Sequence, residues 1–162
     1  MTSGGRETPF FFLAYARTPE KPWVKKLFHE LSHEVYERTT FPDSAAVGFM
    51  DVTGIPPGHD WREEIYWALA TCRVFVPLYS PRYFTSVECG REWHAFAQRT
   101  LDHQARSPLT QSAIVPALWA PIVPSELPEV AQRIQMDHAD LGDEYASEGF
   151  YTLIKNKVYQ QQ

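Results

Sequence analysis

The chain has 162 residues, which is enough for one domain with a single hydrophobic core. An apolar content of 44% with 14% aromatic residues excludes an intrinsically disordered protein. The formal net charge of −5 makes nucleic acid an unfavourable partner, and no apolar stretch is long enough to predict a membrane span. Two cysteines, Cys72 and Cys89, form no metal-like pair and are expected to be free, buried thiols of a cytoplasmic protein.

Hydrophobic patterning predicts strands alternating with helices over residues 9–160, after a flexible lead-in at residues 1–8. Strands are expected at residues 10–15, 46–50, 73–79, 113–119 and 134–136, and helices at residues 23–37, 61–72, 85–97, 129–133 and 148–159, with a surface loop at 101–111. This order predicts an α/β domain with a parallel sheet covered on both faces. Pro77 and Pro116 interrupt two of the strands, and proline is unfavourable in a central strand.

Glu92 is the leading candidate for a functional residue. It lies on the helix predicted at residues 85–97, at the flank of the apolar face that Cys89, Trp93 and Phe96 form. The preceding strand ends nearby, and ligands of open α/β sheets bind at the carboxyl ends of strands. The helix start is expected to favour an ionised carboxylate at Glu92. The alternative is a structural glutamate that pairs with a nearby arginine.

Other candidate ligand contacts follow the first and second predicted strands. Tyr15, Ala16 and Arg17 leave the first strand beside the predicted cleft, where Arg17 contacts phosphate or ribose, or is an ordinary surface arginine. Asp51 either braces the loop after the second strand or contacts a ligand. Phe49 is either an aromatic wall of the site or part of the core.

Two further candidates flank the start of the third helix. Tyr83 follows the third strand and is a candidate for stacking on a base. Glu88 is either a second carboxylate of the site or the last member of a capping box that begins at Thr85.

The sequence His29-Glu-Leu-Ser-His33 matches the HExxH pattern of zinc proteases. Both histidines lie opposite the apolar stripe of their helix, and no third ligand follows at a known spacing. We therefore expect solvent-exposed side chains and no metal site.

Four segments carry a resemblance to a known family: Phe11-Phe-Leu-Ala-Tyr-Ala-Arg17, Gly48-Phe-Met-Asp51, Pro57-Gly-His-Asp-Trp61, and Ser80-Pro-Arg-Tyr83 with Ser86, Cys89 and Glu92. Their order and spacing resemble Toll/interleukin-1 receptor (TIR) domains of bacterial type, most closely those of actinobacteria. The resemblance covers residues 9–160 and implies a flavodoxin-like, three-layer fold with a five-stranded parallel sheet.

The resemblance also implies a function. Glu92 matches the family's catalytic glutamate, and many TIR domains cleave NAD+ to nicotinamide and ADP-ribose or a cyclic variant. NAD+ is then the substrate, with no further cofactor, and other TIR domains are the partners. The mobile BB loop that mediates such assembly corresponds to Val52, Thr53, Gly54, Ile55, Pro56, Pro57 and Gly58.

Two positions depart from the family pattern. Ala14 replaces a common serine, and Glu88 stands where an aromatic residue is frequent. Two hypotheses therefore stand: an NAD+ glycohydrolase of bacterial signalling or defence that self-assembly activates, and a TIR interaction module without turnover.

Overall fold

The computed structural model describes residues 7–17, 21–43, 46–50, 60–106, 113–132 and 142–160. Its strands are β1 (Phe11–Ala14), β2 (Gly48–Met50), β3 (Val74–Tyr79), β4 (Ala113–Ile114) and β5 (Ala117–Leu118). Its α-helices are α1 (Lys21–Arg38), α2 (Trp61–Thr71), α3 (Val87–Arg106), α4 (Glu129–Gln132) and α5 (Asp143–Gln160), with short 3-10 turns at Tyr83–Thr85 and Pro124–Glu126.

The sheet is parallel in every pairing and has the strand order β2–β1–β3–β4, with β5 also paired to β3. The predicted α/β class with a parallel sheet is therefore confirmed. Because β4 and β5 share one edge position, the five strands fill four positions. The strand predicted at residues 134–136 lies outside the described residues.

Two prolines explain why the single strand predicted at residues 113–119 is divided. β4 and β5 keep one register against β3, since Val74 pairs with Ala113 and Leu78 pairs with Ala117. Pro77 and Pro116 therefore fall opposite each other. The N–H of Val115 bonds to the carbonyl of Phe75 at 2.9 Å, so the backbone of Pro77 faces this strand and lacks its N–H there. One ladder bond is lost, and the strand is interrupted.

Alternating side chains of the sheet feed two separate cores. Phe12, Ala14 and Phe75 point to the layer formed by α2 and α3. Phe11 and Leu13 point to the layer formed by α1 and α5. The result is a three-layer α/β/α arrangement, as predicted, in which every strand residue of β1 is buried.

The helix boundaries differ from prediction at α3 and α5. Helix α3 continues to Arg106, so the loop predicted from residue 101 was wrong. Helix α5 begins at Asp143 and is interrupted at Gly149, whose φ is 82°. A Cβ at Gly149 would lie 2.6 Å from the carbonyl oxygen of Trp119, so only glycine fits. Asp60 is the N-cap of α2 and accepts from the N–H of Arg62 at 2.9 Å.

Candidate functional site

A cavity of ≈ 230 Å³ opens at the carboxyl ends of the strands. Its lining comes from three separate stretches of chain: Tyr15, Ala16 and Arg17 after β1; Ile65 on α2; and Arg82, Thr85, Ser86, Glu88 and Glu92 around the start of α3. The carboxyl edge of an open parallel sheet is where α/β proteins bind ligands. Five residues singled out from the sequence, Tyr15, Ala16, Arg17, Glu88 and Glu92, thus meet around one cavity.

The start of α3 is fixed by a cap one residue later than predicted. The Ser86 hydroxyl accepts from the N–H of Cys89 at 3.3 Å, whereas the Thr85 hydroxyl donates to the carbonyl of Arg82 at 2.9 Å. The capping box predicted from Thr85 to Glu88 was therefore wrong. Glu88 is exposed in the first turn of α3, where the helix dipole favours a negative charge.

Glu92 lies on the second turn of α3 and is half-buried. Cys89 and Phe96, which are buried, anchor the neighbouring face of the helix in the core. This packing holds Glu92 at the flank of α3, at the rim of the cavity. The effect of the helix dipole falls off within the first turn, and Glu92 lies beyond that turn of α3.

Two neighbouring cavities share lining residues with the candidate site. A second cavity of ≈ 230 Å³ shares Tyr15, Ala16 and Arg82 with it and reaches Trp119. A groove of ≈ 150 Å³ between α2 and α3 shares Ile65, Glu88 and Glu92 with it. Ligand pockets span about 300–1,000 Å³, so the joined cavities have the size of a ligand site although none has it alone.

Two predicted contacts lie away from this cavity. Phe49 is buried in the core, where its ring stacks on Phe12 with centroids 5.3 Å apart. Tyr83 is 3% exposed and lines another cavity, of ≈ 290 Å³, with Trp93 and Ala131. Asp51 and the predicted BB-loop residues 52–58 lie outside the described residues.

Tyr83 has a buried hydroxyl that makes no hydrogen bond with the described residues. Burial raises the pKa of Tyr83 far above its ordinary value, and the nearby Cys89 and Glu92 raise it further. Tyr83 is therefore a neutral phenol beneath the rim of the site. Its ring packs against the ring of Tyr79, and the two centroids are 5.7 Å apart.

Sequence reasoning missed Arg82 and Ile65. Arg82 is exposed and belongs to two of the joined cavities. Ile65 is buried on the inner face of α2, and its side chain closes the candidate site on that side. The one available signal was the place of Arg82 directly after β3, at the same sheet edge as Arg17.

The HExxH histidines and the two cysteines lie outside the candidate site. His29 and His33 are both exposed on α1, as predicted. Within the described part of the chain, no three His, Cys, Asp or Glu side chains come together as metal ligands would. Cys72 and Cys89 are buried and form no disulfide, as predicted. None of the described helices combines the length and apolar character that a membrane-spanning segment requires.

An α/β domain with a cleft of this kind at its carboxyl edge is found in many classes of protein. The family model described as "TIR domain" matches residues 11–154. The chain therefore belongs to the TIR domain family. No curated protein sequence matches it closely enough to count as a relative.

Two solved structures show the same fold. One is the TIR domain of the Toll-related receptor TRR-2 from Hydra magnipapillata, with a TM-score of 0.55, 17% identity, and coverage of 95% of this chain and 98% of that chain. The other is the TIR domains of the activated Roq1 resistosome, which directly recognises the pathogen effector XopQ. It has a TM-score of 0.50, 17% identity, and coverage of 93% of this chain and 70% of that chain.

Proposed function

We propose that this TIR domain is an NAD+ glycohydrolase whose catalytic residue is Glu92. The observation that carries the proposal is the half-buried Glu92 carboxylate at a cavity that also contains Tyr15, Ala16 and Arg17. The proposal assigns NAD+ as the substrate, with no additional cofactor. It places the protein in the cytoplasm, in bacterial signalling or defence.

The chemistry requires one well-placed carboxylate. As the glycosidic bond breaks, its electron pair stays with the nicotinamide nitrogen, and positive charge develops on the ribose. Glu92 stabilises that charge or holds the ribose hydroxyls. Water then adds to the anomeric carbon and releases one proton, giving ADP-ribose. Nicotinamide leaves as a neutral molecule, so no general acid is needed.

Two arginines at the cavity provide donors for the ribose that carries the nicotinamide. Arg17 and Arg82 line the same cavity as Glu92, and both side chains are exposed. A guanidinium group carries five N–H donors, which can bond to the hydroxyls of a ribose. This placement supports the first of the two roles that the sequence left open for Arg17.

Self-association is proposed as the activating step. Glu88 and Glu92 face a cleft that is open to solvent, and exclusion of water strengthens charge stabilisation in a site. A second TIR domain placed over the cleft would exclude water in this way. The segment from Val52 to Gly58 remains the predicted assembly element. TIR domains are also present in the Roq1 resistosome, which is an assembly.

The test is nicotinamide release from NAD+, measured by chromatography over a range of protein concentrations with and without a crowding agent. We expect the rate to rise more steeply than protein concentration, and Glu92→Gln to lose about 10²–10³-fold. Glu30→Gln, which removes an exposed carboxylate on α1, is the matched control and should keep the wild-type rate. Equal rates for Glu92→Gln and the wild type would refute the catalytic role.

The second candidate is an interaction module without turnover. It is favoured by the exposed Glu88, which places a second carboxylate one helical turn from Glu92 at the same cavity. Like charges at this spacing repel each other. If light scattering reports assembly while no nicotinamide appears at any concentration, this second function is correct.

A further inference from the structure

The groove between α2 and α3 has features that the cleavage step at Glu92 does not use. Its floor is made of Ile65 and Leu69, which are 8% and 4% exposed. Its walls include Tyr66 from α2 and Arg91 from α3, and Arg62 lies one helical turn before Tyr66. An aromatic ring and two guanidinium groups therefore surround an apolar floor.

Tyr66 is unusual among the described residues because it is 63% exposed. The other large exposed apolar side chains, Val87, Leu101, Val115 and Val123, are all aliphatic. An exposed ring on a helix provides a flat surface on which a nucleobase can stack, and such stacking is tolerant of the base.

The acidic and basic side chains of the groove differ in whether they also line the catalytic cavity. Glu88 and Glu92 line both the groove and the candidate catalytic cavity, so they lie where the two meet. Arg62 and Arg91 line the groove but not the catalytic cavity. A ligand that is cationic at one end and anionic farther along would match this order of charges.

We propose that the α2–α3 groove binds the adenosine diphosphate half of the substrate, with the adenine stacked on Tyr66 and the phosphates held by Arg62 and Arg91. The inference rests on the proposed cleavage at Glu92, because the groove is joined to that site through Glu88 and Glu92. The cationic nicotinamide riboside then lies at the carboxylates, and the pyrophosphate extends away from them.

Calorimetric titration of ADP tests the inference without requiring turnover. It is carried out on the full chain, at the protein concentration and crowding used for the turnover assay. We expect Tyr66→Ala to weaken ADP binding about ten- to hundredfold, whereas Tyr66→Phe keeps the ring and the affinity. Arg91→Gln should weaken binding by a similar factor, and more strongly at low salt.

Two variants on the opposite face of the sheet are matched controls. Tyr36→Ala removes a tyrosine from α1, and Arg38→Gln removes an arginine that pairs with Glu34. Both should bind ADP as the wild type does. A general loss of folding or charge would instead lower binding in the controls as well, and the inference would be overturned.

The remaining outcomes separate the groove from the cleavage step. If ADP binds in a Tyr66-dependent way but nicotinamide is never released, the groove assignment holds and the proposed hydrolysis fails. If NAD+ is cleaved and Tyr66→Ala leaves its KM unchanged, the hydrolysis holds and the groove assignment is overturned. Absence of ADP binding, or binding that depends on Arg82 and not on Tyr66, also overturns it.

Discussion

The two helical layers of this domain use their charged side chains differently. In the α1–α5 layer, the Oε1 atom of Glu30 lies 4.0 Å from the Nζ atom of Lys26 and 3.9 Å from that of Lys157. Both are ion pairs between exposed side chains. In the α2–α3 layer, Glu88 and Glu92 line cavities beside the carboxyl edge of the sheet. Position relative to the strand ends, more than residue type, therefore distinguishes the glutamates of the candidate site from those of the ordinary surface.

The HExxH motif and Glu92 differ in the same way, since one lies on the ordinary surface and the other at the carboxyl edge of the sheet. His29 and His33 form a specific-looking pattern on an exposed helix face, and neither residue lines any of the four cavities described above. Glu92 belongs to a looser pattern but lies where a substrate can reach it. The following predictions compare residues of the two helical layers, in order of decreasing effect.

The largest expected effect on stability concerns Cys72, which packs in the α2–α3 layer. Burial raises the pKa of Cys72 from its ordinary 9.0 to about 11, against an opposing attraction from Arg99. Because the folded-state pKa is the higher one, the neutral thiol stabilises the fold below pH 9. This contribution is lost as the pH rises through 11 and amounts to about 2–3 kcal/mol.

Urea unfolding between pH 8 and pH 11 measures this loss. Cys72→Ala should start with a lower free energy of unfolding but show a shallower decline with pH, because the titrating thiol is gone. Parallel declines in the two proteins would contradict the prediction.

A smaller effect should distinguish two buried tyrosines. Tyr145 is 2% exposed, and its hydroxyl accepts from the N–H of Leu118 at 2.8 Å, whereas the Tyr83 hydroxyl has no hydrogen bond with the described residues. Tyr145→Phe should lower the free energy of unfolding by about 1 kcal/mol, and Tyr83→Phe should raise it by a similar amount. Urea denaturation measures both, and a loss of stability in Tyr83→Phe would show that its hydroxyl has a partner.

The smallest effect is expected for the histidines of α1. His29→Ala and His33→Ala should each change the free energy of unfolding by less than about 0.5 kcal/mol, because both side chains are exposed. Nicotinamide release should also stay at the wild-type rate. Stoichiometric zinc in elemental analysis of the wild type, lost in either variant, would assign a function to this motif after all.

Local patterns in the sequence were sufficient for the layers and the sheet edge. The continuous apolar run of β1 predicted a strand buried on both faces, and the structure has Phe12 in one core and Phe11 in the other. The clustering of Glu92 with residues 15–17 followed from the rule that parallel strands end at one edge. Both inferences require only the period of the apolar residues and the direction in which parallel strands run.

Other features depended on interactions that the patterns do not encode. The cap moved to Ser86 because the 3-10 turn at Tyr83–Thr85 already uses the Thr85 hydroxyl. Helix α3 extends beyond residue 100 because polar residues such as Gln104 and Arg106 are good helix formers, so polarity alone was no stop signal. Ile65 joins the site only through the packing of α2 against α3.

The central claim is that the Glu92 carboxylate performs the cleavage of NAD+. Its most direct test is the initial rate of nicotinamide release by Glu92→Gln and the wild type, compared at a concentration where both assemble and both bind NAD+. We expect at least a hundredfold lower rate for the amide, which has the same shape but no charge. A Glu92→Gln rate within about threefold of the wild type would contradict the catalytic role of Glu92.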